Sequence, residues 1–187
     1  QLMGPNGSGK STLLSMIYGD NPKAYGQDLI LFGKRKGSGE SVWEIKKKIG
    51  YFSSAISQQF DRLDTIEQMI ISGFNDSIGL YTYPTDIQIQ LAAQWLQLLN
   101  LYKEKKQPFR NCSTAQQRLI LIARAMVKHP PLLILDEPTA GLDDDNAALF
   151  TVLVNKIANE SNTAILYVSH RVEKDLTPKY IFELTNA

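Results

Sequence analysis

Apolar positions along the chain alternate between a helical and a strand rhythm. Residues 11–18 place Leu13, Leu14, Met16 and Ile17 at helical spacing, and Gly19-Asp20-Asn21-Pro22 stops the segment. Residues 28–32, closed by Gly33, have the composition of a short strand, and 34–41 is expected to be an exposed, basic, glycine-rich loop. Val42 and Ile45 predict a short helix over 42–48, leading through Ile49 into a strand at Gly50-Tyr51-Phe52. From 64 to 128 the pattern is helical. It predicts helices over 65–71, over 85–99 and over 113–128. The second carries Ile87, Leu91, Trp95, Leu98 and Leu99 on one stripe, and the third buries Leu119, Ile120, Ile122, Ala123, Met126 and Val127. Ser113 and Gln116 fit a capping box at the start of the third helix. His129-Pro130-Pro131 ends it, and Leu132-Leu133-Ile134-Leu135 is the continuous apolar run that a buried parallel strand requires. A helix over 144–159 and strands over 163–169 and 180–184 complete the series. Alternation at both ends with helices between predicts an α/β protein: a parallel-sheet core from 1–63 and 129–187, with a helical insertion at 64–128.

One segment carries chemistry at once. Gly4-Pro5-Asn6-Gly7-Ser8-Gly9-Lys10-Ser11-Thr12 fits G-x-x-x-x-G-K-[ST], a loop that follows a buried strand and opens a helix. Its glycines let backbone N–H groups converge on an anion, and the helix N-terminus adds positive potential. Lys10 would reach the β- and γ-phosphates of a nucleotide, and the Ser11 hydroxyl would ligate Mg²⁺. Only Gln1, Leu2 and Met3 precede the loop. The leading strand is therefore expected to be missing, as part of a longer polypeptide.

A second segment fits the first. Asp136-Glu137 directly follows the apolar strand, at the C-terminal edge of a parallel sheet where α/β ligands bind. Asp136 is the expected Mg²⁺ partner, and Glu137 suits a base that activates the attacking water. The long separation between Lys10 and Asp136 argues against a small GTPase. So does the lack of an Asn-Lys-x-Asp motif, since Asn155-Lys156-Ile157-Ala158 has no final acid.

Charge and cysteine usage narrow the setting. Twenty Lys and Arg stand against 19 Asp and Glu, a net charge of +1, which gives no electrostatic case for a nucleic-acid partner. A single cysteine, Cys112, points to a reducing compartment, and no apolar run is long enough to span a bilayer. Cytoplasmic localisation is expected, or a peripheral one on the cytoplasmic face of the inner membrane.

Taken together, these residues resemble the ATP-binding cassette (ABC) ATPases. Ala140-Gly141-Leu142-Asp143 resembles the loop where paired cassettes touch. Ser169-His170 resembles the switch histidine, and Cys112-Ser113-Thr114-Ala115-Gln116 stands where the signature Leu-Ser-Gly-Gly-Gln is expected. The resemblance implies a P-loop NTPase (RecA-like) fold that binds ATP and Mg²⁺ as a hydrolase. Gly4, Pro5, Asn6, Gly7, Ser8, Gly9, Lys10, Ser11, Thr12 and Asp136 would hold the nucleotide. Ser113 and Gln116 would act across a dimer, with Asp143 at the contact and Glu137 and His170 as the catalytic pair. A second cassette is the implied partner, and a membrane permease a further one for a transporter.

A narrower set, including Leu31-Phe32-Gly33, Trp43, Ile49-Gly50-Tyr51 and Asp76-Ser77-Ile78-Gly79, resembles the second cassette of tandem ATP-binding proteins associated with molybdenum transport. Import of molybdate or a similar oxyanion is the function this implies. The alternatives are a tandem ATPase without a membrane partner, or a non-catalytic, nucleotide-controlled dimerisation module.

Two departures favour those alternatives. Thr114 and Ala115 replace the two signature glycines, and Ser54 stands where a glutamine is usual, with Gln58 and Gln59 as substitutes nearby. Trp43 and Trp95 are expected to pack in the core rather than stack on a ligand, His129 to favour a helix C-terminus, and Cys112 to fill a small apolar slot.

Overall fold

The computed structural model describes residues 1–24, 26–54, 56, 60, 63–170 and 172–185. Its main sheet has the strand order β4-β5-β6-β1-β7, and every pairing is parallel. The strands are β1 (Leu2–Met3), β4 (Ile49–Ser53), β5 (Leu132–Asp136), β6 (Ala164–Val168) and β7 (Phe182–Glu183). The strand expected to be missing is present as the two residues of β1, seated between β6 and β7.

A separate hairpin pairs β2 (Ile30–Leu31) with β3 (Lys34–Arg35). It corrects the expected loop: Lys34 and Arg35 form a strand. Phe32 and Gly33 between them take φ +51° and +78°, the positive pair that a tight two-residue hairpin turn requires.

Among the described residues the α-helices are α1 (Lys10–Tyr18), α2 (Val42–Lys47), α3 (Ile66–Ile71), α4 (Asp86–Leu98), α5 (Thr114–Met126) and α6 (Asp144–Glu160). Strand side chains alternate between two cores. Ile49 and Ile134 join Leu14 of α1 and Ile45 of α2 on one face. Phe52, Leu133 and Leu135 join Ile70, Ile122, Phe150 and Val154 on the other, under α3, α5 and α6. Reciprocal capping boxes set the starts of α2, α3, α4 and α5. Ser41, Thr65, Thr85 and Ser113 each accept from the backbone N–H three residues on, and the Glu or Gln there returns the bond.

Three expected core positions are corrected. Trp43 lies on the outer side of α2 with 73% of its surface exposed, its ring 5.8 Å from Lys46 Nζ. In α4, Ile87 and Leu98 are exposed, while Ala92 and Leu96 are fully buried. That helix rests mainly on α3 and α5, so its buried stripe is narrower than its apolar composition.

Gly50 is where α5 comes closest to the sheet: a Cβ there would fall 2.5 Å from the Ala125 carbonyl oxygen. Gly50→Ala is expected to cost about 1–3 kcal/mol by overpacking. At about 2–4 °C per kcal/mol for a chain of this size, thermal melting registers the loss.

Candidate functional site

The loop joining β1 to α1 forms one wall of the site. Gly7 takes φ +86°, and Gly9, the N-cap of α1, takes φ +94°. These conformations tolerate a Cβ poorly, and they leave the loop as an open cradle of backbone. The first-turn N–H groups of α1 have no carbonyl partner within the helix and point out of its N-terminus. Lys10 is buried, and its Nζ donates to the carbonyls of Gly4 at 2.6 Å and Pro5 at 2.9 Å. Ser8 Oγ is buried with no hydrogen-bond partner.

The carboxyl ends of β4 and β5 form the facing wall. Register pairs Ser53 with Asp136, and Asp136 with Val168 of β6. Between the walls lies a cavity of about 480 Å³. Asn6, Gly7, Gly9, Lys10, Ser11 and Thr12 line it from the loop side, and Tyr51, Ser53, Ser54, Asp136 and Glu137 from the sheet side. The sequence thus brought most of the expected residues to one place.

Burial, and then the neighbouring Glu137, push the Asp136 carboxyl above the usual aspartate range, against the pull of Lys10 and a hydrogen bond from Tyr51. Tyr51 itself is pushed up to about 12 by burial and by Asp136, so it stays a neutral donor at physiological pH. A raised carboxyl means that the folded state binds the proton more tightly than the unfolded chain. The ionised Asp136 therefore weakens the nucleotide-free fold above its folded pKa, and the cost is relieved as pH falls through that value toward the ordinary one. Asp136→Asn is expected to raise the melting temperature at pH 7–8, with the gain vanishing on acidification. A melting difference that stays flat from pH 8 to pH 4 contradicts this.

Glu137 follows β5 with φ +46°, a left-handed conformation uncommon for a residue with a Cβ and characteristic of functional sites. Its N–H donates to the Val168 carbonyl at 2.9 Å. Its Oε1 lies 3.5 Å from His170 Nδ1, so the turn after β5 and the end of β6 bring these two side chains together.

Three expected residues stand away from the cavity. Ser113 and Gln116 cap α5 reciprocally at 3.0 and 3.2 Å, and Ser113 is exposed. Asp143 caps α6, and hydrogen bonds from Asn146 hold its carboxyl below the usual range. A single chain therefore leaves these groups outward. Thr114 lies exposed beside Ser113, while Gln58 and Gln59 fall outside the described residues.

Tyr51 and Ser53 are the lining residues that sequence reasoning passed over. The signal for them was register: alternate residues of the strand next to β5 end at the same edge as Asp136.

The donor set fits a magnesium nucleotide. Backbone N–H groups and one ammonium face the phosphate side, and a hydroxyl and a carboxylate face the metal side. Among the described residues no cluster of three or more His, Cys, Asp or Glu is present. Magnesium keeps phosphate and water ligands and takes one or two from protein, which Ser11 and Asp136 would supply.

Comparison with known proteins gives the family and the fold. The ABC transporter family profile matches residues 1–140. The chain is 50% identical over 174 residues to the ABC transporter ATP-binding protein ModF of Escherichia coli K12, covering 92% of this chain and 36% of ModF. It thus spans about a third of that relative's length. The dimeric structure of a bacterial ABC transporter cassette superposes with TM-score 0.75 at 24% identity, over 98% of this chain and 79% of that one. A dimeric post-hydrolysis cassette bound to ADP and Pi gives 0.69 at 25% identity, over 91% and 73%. Among the described residues no helix is long and apolar enough to cross a membrane.

Proposed function

We propose, from the premise that this chain belongs to the ABC transporter family, that it binds and hydrolyses Mg²⁺-ATP as one of two paired cassettes, and that the pair powers import of molybdate or a similar oxyanion. The observation that carries the enzymatic reading is the single cavity in which Lys10 and Ser11 face Asp136 and Glu137.

The loop from Gly4 to Gly9, with Lys10 and Thr12, holds the phosphates; Lys10 exchanges its carbonyl partners for the β- and γ-phosphates. Ser11 and Asp136 would hold the magnesium, which when bound would supply charge neutralisation at the phosphates. Glu137 orients the attacking water and accepts its proton, while the phosphoryl group leaves ADP. His170, beside Glu137, faces the γ-phosphate position. Ser113 and Gln116 complete the partner's site and Asp143 lies at the contact, which accounts for their outward placement. Residues 64–128 form the helical subdomain, and 1–63 and 129–187 the catalytic core. The dimeric cassettes among its structural relatives support pairing, and the oxyanion reading rests on the residues that resemble tandem molybdenum-transport cassettes, Leu31-Phe32-Gly33 and Asp76-Ser77-Ile78-Gly79 among them.

A purified protein that releases phosphate from Mg²⁺-ATP, and whose molybdate uptake depends on a co-purifying permease, meets both halves of the reading. Steady ATP turnover without any membrane partner leaves a tandem soluble ATPase, the alternative that Ser54, Thr114 and Ala115 favour. Tight ATP binding with no phosphate release overturns the enzymatic claim.

A further inference from the structure

The turn that carries Glu137 toward Asp143 is gripped from two sides by residues that no motif reading singled out. Arg118, buried on α5 little more than one turn past Ser113, donates from Nη1 to the Pro138 carbonyl and from Nη2 to the Ala140 carbonyl. Between those carbonyls, the buried Thr139 hydroxyl donates to Glu173 Oε1 at 2.7 Å and lies 3.4 Å from the Tyr167 hydroxyl. Glu173 is buried three residues beyond His170. The same turn also closes on itself, Ala140 N–H to the Glu137 carbonyl and Leu142 N–H to the Thr139 carbonyl. Three residues with no regular structure thus join the helix that bears Ser113 and Gln116 to the segment that bears His170.

We propose that Arg118, with Thr139 and Glu173 as its counterpart on the other side, is a positioning residue for hydrolysis. It fixes the turn after Glu137 in register with the start of α5, so that engagement of Ser113 by the partner's nucleotide sets the aim of this chain's own Glu137. The inference rests on the ATPase reading above. Its physical basis is the planar fork: a guanidinium spans two carbonyls two residues apart from two separate nitrogens in fixed geometry, whereas a lysine ammonium offers its donors from one nitrogen on a flexible stem and holds this pair less rigidly. None of these groups lines the nucleotide cavity, so affinity for ATP is not theirs to set. Displacement of a reacting group by about 1 Å costs on the order of 100-fold in rate.

The test is Arg118→Lys in the full-length protein, with ATP affinity, kcat, KM and melting temperature measured beside wild type. The expected result is a kcat lower by about 10- to 100-fold, with ATP affinity and KM within about twofold. Thr139→Val, which keeps shape and removes the hydroxyl bond to Glu173, is expected to give the same split. It decides the matter should Arg118→Lys fail to fold. A kcat within twofold of wild type in the deciding variant overturns the proposal. So does a parallel loss of kcat, ATP affinity and melting temperature, the mark of a structural role alone. If wild type itself releases no phosphate, the ATPase reading falls and takes this role with it. Turnover by wild type beside an unimpaired variant removes only the positioning role.

Discussion

Lys10→Ala is expected to lose ATP affinity about 10- to 100-fold, read by nucleotide titration of the purified protein. Its ammonium is the charged side chain on the loop wall of the cavity. A charge-assisted hydrogen bond of this kind contributes about 1.5–3 kcal/mol, and each 1.4 kcal/mol is about tenfold in binding. The effect has a second origin in the nucleotide-free protein. Lys10 Nζ ties together the carbonyls of Gly4 and Pro5, so its removal also loosens the loop that presents the backbone N–H groups. Melting without nucleotide separates the two contributions: a small fall reports the loop, and the lost ATP-dependent rise reports the phosphate contact. Equal ATP affinity in wild type and variant would mean that the cavity is not a phosphate site.

Glu137→Gln is expected to act at the opposite step, keeping ATP and losing hydrolysis. Glutamine preserves the size and the backbone position of Glu137 but cannot accept a proton from water. General-base catalysis is typically worth about 10²–10⁴ in rate, so phosphate release in single turnover is expected to slow by that order. ATP binding, set mainly by the loop wall, stays near wild type. Blocked hydrolysis leaves ATP between the cassettes, so closed dimers accumulate and elute early on size exclusion. A variant that turns over at the wild-type rate removes Glu137 from its role. The pair of variants therefore divides the cavity into a binding wall and a reacting wall.

The order of elements was legible because local pattern fixes it. The run 132–135 has the continuous apolar pattern of a buried strand, and the capping pair at 113 announced a helix start that the structure reproduces, while the helices over 65–71 and 85–99 were legible from apolar spacing and their caps were not. Burial was less legible, since it depends on what lies opposite. Trp43 is an apolar residue on a helix, but its side of α2 faces no neighbour that covers it. Ile87 belonged to a regular stripe, yet α4 meets α3 and α5 along a narrower line. The hairpin of β2 and β3 was hidden because its second strand is two charged residues, stabilised by pairing and not by an apolar face.

The sequence by itself determined which groups the site carries: a glycine-rich loop with a lysine, and two acids after an apolar strand, are the residue types and spacing that a phosphate cradle and a metal–water pair require. Tertiary structure decided which groups share a cavity and how they are held. Tyr51 and Ser53 reach Asp136 through strand register, His170 meets Glu137 where β6 ends beside a left-handed turn, and Arg118 and Glu173 grip that turn from elements far apart in the chain. The reason is physical. Residue identity sets what a group can donate, accept or ionise, whereas distance, burial and alignment arise only when separate segments pack.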